Sequence, residues 1–410
     1  MRRVAITGMG AVTPLGNDLR TTWARLLAGE SGVDRIRAFD PSEFPVQIAA
    51  EVKEDYDPTG AAPPKELRKL DRNVRFALSA AKEALADAGL NGFDPERVGV
   101  VVGNCIGGFN ELMRQHDVLR ERGPDRVSPT FLANVLVDSA SGQLAIELGL
   151  RGPNYAVVSA CATGSHAIGE GAELIKRGDA DAVIAGGTEG CIHPLILAGF
   201  CAMRGLAIGN GDPPRAARPF DLNREGFVMG EGAAIMILEE LEAAKARGAT
   251  IYAEVLGYGA SNDAHHMLQP DPESGGVVAM MRAALQRADV SPDQVDYINA
   301  HGTGTPLGDL AETLAIREVF GNHAYDLAVS STKSMLGHMF GAAGAIEAVA
   351  SALAIHEGNI PPTINYESPD PELDLDYVPN EMRRAEVRVA LSNAMGLGGH
   401  NGCVLLGRVD

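Results

Sequence analysis

At 410 residues, 45% hydrophobic and 22% charged, the chain is long enough for one large or two medium globular domains, and its 48 glycines imply many tight turns. A net charge of −19 excludes nucleic acid as a general partner, because phosphates would be repelled over most of the surface. Cys105, Cys161, Cys191, Cys201 and Cys403 are an odd set without a CxxC pair, so no disulfide framework or zinc knuckle is indicated and a reduced, cytoplasmic setting is expected.

The opening MRRVAITGMGAVTPLG is broken by Gly8, Gly10 and Pro14 far short of a spanning helix, so no membrane is expected. Residues 4–7 (VAIT) predict a buried strand, and TTWARLLAG a short helix closed by Gly29. The GMGAVTPLG turn lacks the third glycine of GxGxxG and has Pro14 where a helix should begin, which rules out a dinucleotide fingerprint. Lys65, Arg68, Lys69, Arg72 and Arg75 then open an amphipathic helix in PKELRKLDRNVRFALSAAKEAL; taken alone, a solvated helix face accounts for them. VGVVV at 98–102 has the continuous apolar character of a strand buried on both faces. GNCIGGFNELM is a glycine-rich turn into a helix, and a further helix is expected near 132–148.

The stretch VVSACATGSHAI, 157–168, carries most of the chemistry. Val157 and Val158 predict a strand, Cys161 sits at the turn, and apolar residues at helical spacing run from 164 to 176. At a helix start, unpaired N–H groups and the positive end of the helix dipole favour thiolate, so a lowered Cys161 pKa is expected. The alternative is an inert buried cysteine. A strand at 181–185 ends in GGTEG, a loop rich in Gly, Pro and Arg spans 209–218, and an apolar run covers 233–238.

The second half repeats this plan. A strand at 251–256 answers the first strand, and a helix at 276–288 precedes a strand at 295–299 as the basic helix precedes VGVVV. A strand at 327–331 runs into STKSMLGHMFGAAGAIEAVASAL as the Cys161 strand runs into its helix; VRVALSNAMG matches DAVIAGGTE, and GCVLLGRV matches GAAIMILEE. The element order predicts a duplicated β/α unit, residues 1–250 and 251–410, with reactive groups meeting where equivalent strand ends face each other. PPTINYESPDPELDLDYVP is the longest irregular stretch.

Three expected strand ends carry reactive residues: Cys161, His301 in NAHGTGTPLGD, and His338 in STKSMLGHMFGAAG. Two neutral imidazole N–H groups can share one carbonyl oxygen and stabilise an oxyanion or enolate, and Thr303 and Thr305 add hydroxyls beside His301. His265 and His266 are adjacent, which prevents easy sharing of one ion, and no spacing completes a site; no metal is assigned.

ACATGSHA, NAHGTGTPLGD and STKSMLGHMFGAAGAIE together resemble the three signatures of the β-ketoacyl-acyl-carrier-protein synthases, the Cys-His-His branch of the thiolase superfamily, nearest the synthase II type. The resemblance covers essentially the whole chain. It implies a thiolase-like, five-layered αβαβα fold from an internal duplication, and most often a homodimer. It implies that Cys161 takes an acyl chain as a thioester and that His301 and His338 bind the malonyl thioester carbonyl during decarboxylation. The backbone N–H groups of Cys161 and Leu397 would form the oxyanion hole. Lys333 and Glu347 match the charged pair that organises the site, with Asp309 and Glu312 in support. Thr303 and Thr305 would hold a phosphopantetheine arm that arrives on the carrier protein, so no resident cofactor is implied. Ile106, Phe200, Met395 and Leu397 would line the acyl path, and Lys65, Arg68, Lys69, Arg126 and Arg204 would dock an acidic carrier protein. SNAMGLGGHN departs from the family's SNSFGFGGTN-like loop at Met395, Leu397 and His400. A type II polyketide ketosynthase shares the signatures, so both readings stand; a non-catalytic chain-length factor lacks the nucleophile that is present here, and a Cys-His hydrolase needs a water path.

Overall fold

A computed structural model describes residues 2–90 and 92–409 and gathers ten strands into one mixed sheet. The first half contributes β1 (Val4–Val12), β2 (Val98–Asn104), β3 (Asn154–Tyr155), β4 (Ala182–Glu189) and β5 (Gly232–Glu240). The second contributes β6 (Ala253–Asn262), β7 (Tyr297–Asn299), β8 (Ala328–Ser330), β9 (Val389–Gly396) and β10 (His400–Gly407). Spatial order is β3-β2-β4-β5-β1 in one half and β8-β7-β9-β10-β6 in the other. Adding five to each number converts one order into the other, and the parallel and antiparallel senses repeat as well. The expected two sheets are joined, because β1 and β6 pair at Ala5 with Glu254 and Ile6 with Ala253, which removes two open edges.

The helices of the first half are α1 (Leu19–Leu27), α2 (Pro64–Leu67), α3 (Arg72–Ala88), α4 (Phe109–Arg122), α5 (Phe131–Val135), α6 (Ser139–Leu148), α7 (Thr163–Arg177), α8 (Pro194–Met203) and α9 (Leu241–Ala246). The second half has α10 (Gly275–Ala288), α11 (Pro306–Phe320), α12 (Lys333–Leu336) and α13 (Ala343–Glu357). None of the helices described is long and apolar enough to cross a membrane.

Strand alternation sorts the side chains into layers. Val100, Val102, Ile235 and Ile237 face α3 and α6, whereas Val101, Ala234, Met236 and Leu238 face the central pair α7 and α13. In the second half Ala390, Val404 and Leu406 meet the same central pair, and Leu391, Cys403 and Leu405 meet α10 and α11. The result is α, β, α, β, α. The duplication extends to close contacts. A Cβ on Gly8 would lie 2.3 Å from Ala84 O of α3, and one on Gly257 would lie 2.3 Å from Ala284 O of α10. Only glycine lets either helix settle that closely on its strand.

Four expected elements differ. β1 runs on to Val12 through the GMGAV expected as a turn. The basic helix is two pieces, because Asp71 caps α3 through the Arg72 N–H and also accepts the Glu111 N–H at 2.8 Å. The helix near 132–148 splits into α5 and α6, with Leu136 extended between them. Val157 and Val158 form no strand: the edge strand is Asn154–Tyr155, paired only to β2, and Val158 is exposed.

Candidate active site

Cys161 lies between β3 and α7, two residues ahead of the helix. Ala160 before it has φ +50, a left-handed conformation uncommon for alanine, which produces the sharp turn that turns the cysteine inward. The second half meets this turn through Gly396 at the end of β9. A Cβ there would lie 2.8 Å from Ser159 O and 3.0 Å from Cys161 N, so glycine is required for the approach. The next residue, Leu397, directs its N–H at the Cys161 sulfur. Among the described residues neither the Cys161 nor the Leu397 N–H donates to a backbone carbonyl.

The expected low thiol pKa is not found. Burial pushes the Cys161 thiol up to about 12, and the Lys333 charge and the Leu397 N–H only partly oppose it. Desolvation of the side chain outweighs the helix terminus. The resting group is a thiol.

His301 follows β7. Glu312 of α11 accepts the His301 and Gly302 N–H groups, each at 2.8 Å, and Asn393 Nδ2 donates to the same carboxylate at 3.1 Å. Asp309 accepts the Gly304 N–H at 3.0 Å and the Phe220 N–H at 2.8 Å, and burial raises its carboxyl to about 7. Both acids therefore shape the 301–304 backbone. Lys333 opens α12, forms a buried ion pair with Glu347 of α13, and brings Nζ to 3.4 Å from His301 Nδ1. Because an ammonium only donates, Nδ1 accepts and the ring's own proton belongs on Nε2. Burial raises Glu347 to about 7 against the pull of Lys333.

His338 is held by its backbone, donating to Val228 O at 2.7 Å and accepting from the Gly230 N–H at 2.8 Å. Its ring stands 5.4 Å from that of His301, nearly perpendicular, with Phe227 and Phe340 packed around it. Burial, reinforced by Lys333, holds both histidines well below their usual pKa, so both are neutral donors at ordinary pH.

One thiol, two neutral imidazoles and a buried Lys-Glu pair thus occupy one site at the carboxyl ends of parallel strands from both halves. Family models match in two parts: Beta-ketoacyl synthase, N-terminal domain, over residues 1–244, and Beta-ketoacyl synthase, C-terminal domain, over residues 252–367. The chain belongs to the beta-ketoacyl synthase family. It is 52% identical over 410 residues to the 3-oxoacyl-[acyl-carrier-protein] synthase 2 of Coxiella burnetii, covering 100% of this chain and 99% of that one. Among solved structures, the ishigamide ketosynthase/chain length factor is 36% identical with a TM-score of 0.91, covering both chains fully. A type II PKS acyl-carrier protein in complex with its ketosynthase is 33% identical with a TM-score of 0.92 and the same full coverage.

Around the site of this beta-ketoacyl synthase, Ile106 and Phe200 share an apolar cluster with Cys161, Leu197, Phe227 and Phe340. Met395 does not join it: strand alternation turns it to the α10–α11 side, where it packs against the core there. Leu397 is 37% exposed at the tip of its turn. The Thr303 and Thr305 hydroxyls lie 3.0 Å apart ahead of α11. Lys65, Arg68, Lys69, Arg126 and Arg204 are all exposed. Arg72 and Arg75 leave that patch: Arg72 pairs with buried Glu231, and Arg75 donates to Leu70 O at 3.0 Å. His265 and His266 are exposed, and His266 Nδ1 accepts the Leu268 N–H at 3.1 Å; no cluster able to hold a metal occurs among the described residues. Sequence reasoning missed Glu189, Phe340 and the close approach at Gly396. Of these only Glu189 carried a visible signal, a carboxylate closing an apolar strand in GGTEG.

Proposed function

We propose that this synthase elongates acyl chains in fatty acid biosynthesis by decarboxylative Claisen condensation with malonyl-acyl-carrier protein. The convergence of Cys161 with two neutral histidines carries the reading, since each keeps an N–H to donate while its lowered pKa makes it a weak base, which suits an enolate better than proton abstraction. Cys161 sulfur attacks the acyl thioester as its proton leaves, giving acyl-cysteine and the carrier thiol. The oxyanion rests on the Cys161 and Leu397 N–H groups. Malonyl thioester then places its carbonyl oxygen on His301 and His338, loses carbon dioxide, and the enolate carbon attacks acyl-cysteine, releasing the sulfur, which regains a proton. Lys333 with Glu347 fixes the His301 tautomer, Asp309 and Glu312 fix its backbone, and Thr303 and Thr305 receive the phosphopantetheine arm. The acyl chain runs past Phe200 to Ile106.

The exposed cations Lys65, Arg68, Lys69, Arg126 and Arg204 suit an acidic carrier protein on a chain otherwise of net charge −19. A homodimer would cover the open edge of β3 and exposed Leu132, Leu136, Ile146 and Val158. The reduced cysteines suit the cytoplasm. Incubation with malonyl-carrier protein and acyl-carrier proteins of graded length, with products read by mass, tests the reading: one two-carbon extension per cycle is expected, and unreduced chains extended several times would indicate a polyketide ketosynthase instead.

A further inference from the structure

Glu189 is the buried acid that the mechanism above leaves unused. It closes β4 with no solvent exposure, and burial raises its carboxyl to about 8. One oxygen, Oε2, accepts the Cys105 N–H at 3.1 Å and the Gly341 N–H at 3.2 Å. The Gly190 N–H also points at the carboxyl, the neighbouring Ile106 N–H donates to Asn104 Oδ1 at 3.0 Å, and Oε1 has no partner among the described residues.

These donors belong to two different sides of the site. Cys105 and Ile106 form the turn after β2, in the apolar cluster beside Cys161. Gly341 ends the turn that carries His338 and Phe340. That turn is strained: Phe340 has φ +44, a conformation that persists in a bulky residue only when its neighbours enforce it. Its ring stacks on Phe200 at 5.2 Å and lies 4.9 Å from the His338 ring. Gly341 itself is clasped, since a Cβ there would lie 2.6 Å from Cys105 N and 3.0 Å from Glu189 Oε2.

We propose that Glu189 is a positioning residue that ties the Cys105–Ile106 turn on the acyl side of Cys161 to the 338–341 turn on its malonyl side, so that both half-reactions depend on one buried acceptor oxygen. The inference rests on the condensing-enzyme reading. Without the tie, Phe340 is free to relax, which moves the His338 ring and the Phe200 wall together, while the Cys105 N–H loses its acceptor.

The test compares Glu189→Met, which keeps the bulk but removes the acceptor, with Glu189→Gln, whose oxygen can take the place of Oε2. Acylation of Cys161 by acyl-carrier protein is followed by intact mass, and malonyl-carrier decarboxylation by acetyl-carrier formation, each per folded molecule with Tm measured alongside. Glu189→Met is expected to lose about ten- to a hundredfold in both half-reactions, and Glu189→Gln to stay within about threefold of wild type in both. Should Glu189→Met not fold, Gly341→Ala, which forces the turn off Glu189 from the other side, is expected to give the same paired loss. Loss in one half-reaction only, a lowered Tm with unchanged rates, or a Gln variant as poor as the Met variant overturns the proposal. A wild-type protein that condenses nothing sinks the function itself, whereas a condensing wild type with unaffected variants sinks only the role of Glu189.

Discussion

At the scale of single residues, burial decides the chemistry. Cys161, His301 and His338 stood out in the sequence as reactive side chains set in glycine-rich motifs, although the apolar strand expected before Cys161 does not form. The protonation state of Cys161 was not legible, since a helix start is visible in the sequence and desolvation is not. With its thiol pushed up to about 12, iodoacetamide labelling of Cys161 should rise about tenfold per pH unit from pH 7 to 10, without a plateau. A plateau near pH 7 would show a depressed thiol after all. Lys333→Met removes the charge that most lowers that pKa, so labelling at a given pH should slow further. Cys161→Ala should abolish condensation yet leave malonyl decarboxylation measurable, because only the first half-reaction needs sulfur. Equal loss of both activities would contradict this division of labour.

At the scale of elements, the duplicated strand order was readable from apolar runs and their sequence of helix and strand, and the five-added correspondence of the sheet matches it in every pair but one, where β3 lies at Asn154–Tyr155 instead of Val157–Val158. What could not be read was how strand ends from different halves press together. Gly396 looks like any loop glycine until Ser159 and Cys161 are found against it. If Leu397 is an oxyanion donor as proposed, Gly396→Ala should displace its N–H and cost about 10²–10³ in kcat, the usual loss for one such donor; a rate within twofold of wild type would contradict that role. Met395 was misplaced for a similar reason, because its loop-like sequence hid the strand alternation that turns it to the α10–α11 core. The Glu189 clasp joins two turns far apart in sequence, and no local pattern announces it.

For the whole molecule, charge distribution governs which partners can approach. A chain of net charge −19 repels an acidic protein at long range, so productive encounter needs a local reversal of sign. Five arginines and lysines opened the basic stretch in the sequence, but the fold uses Arg72 and Arg75 internally and leaves Lys65, Arg68 and Lys69 exposed, with Lys69 Nζ 2.8 Å from Glu66. Exposed pairs of that kind contribute little to stability, so reversing Lys69 or Arg68 to Glu should leave Tm nearly unchanged. Its effect should fall on association. The KM for carrier-linked substrate should rise about tenfold at low ionic strength, while kcat/KM for a small acyl thioester stays level, because the contact is remote from Cys161. Added salt screens attraction in the wild type and raises its KM; in the reversed variant that rise should flatten or invert, since salt then screens repulsion. An unchanged KM for the carrier-linked substrate at every salt concentration would return Lys65, Arg68 and Lys69 to an ordinary solvated face and move the docking site elsewhere on the surface.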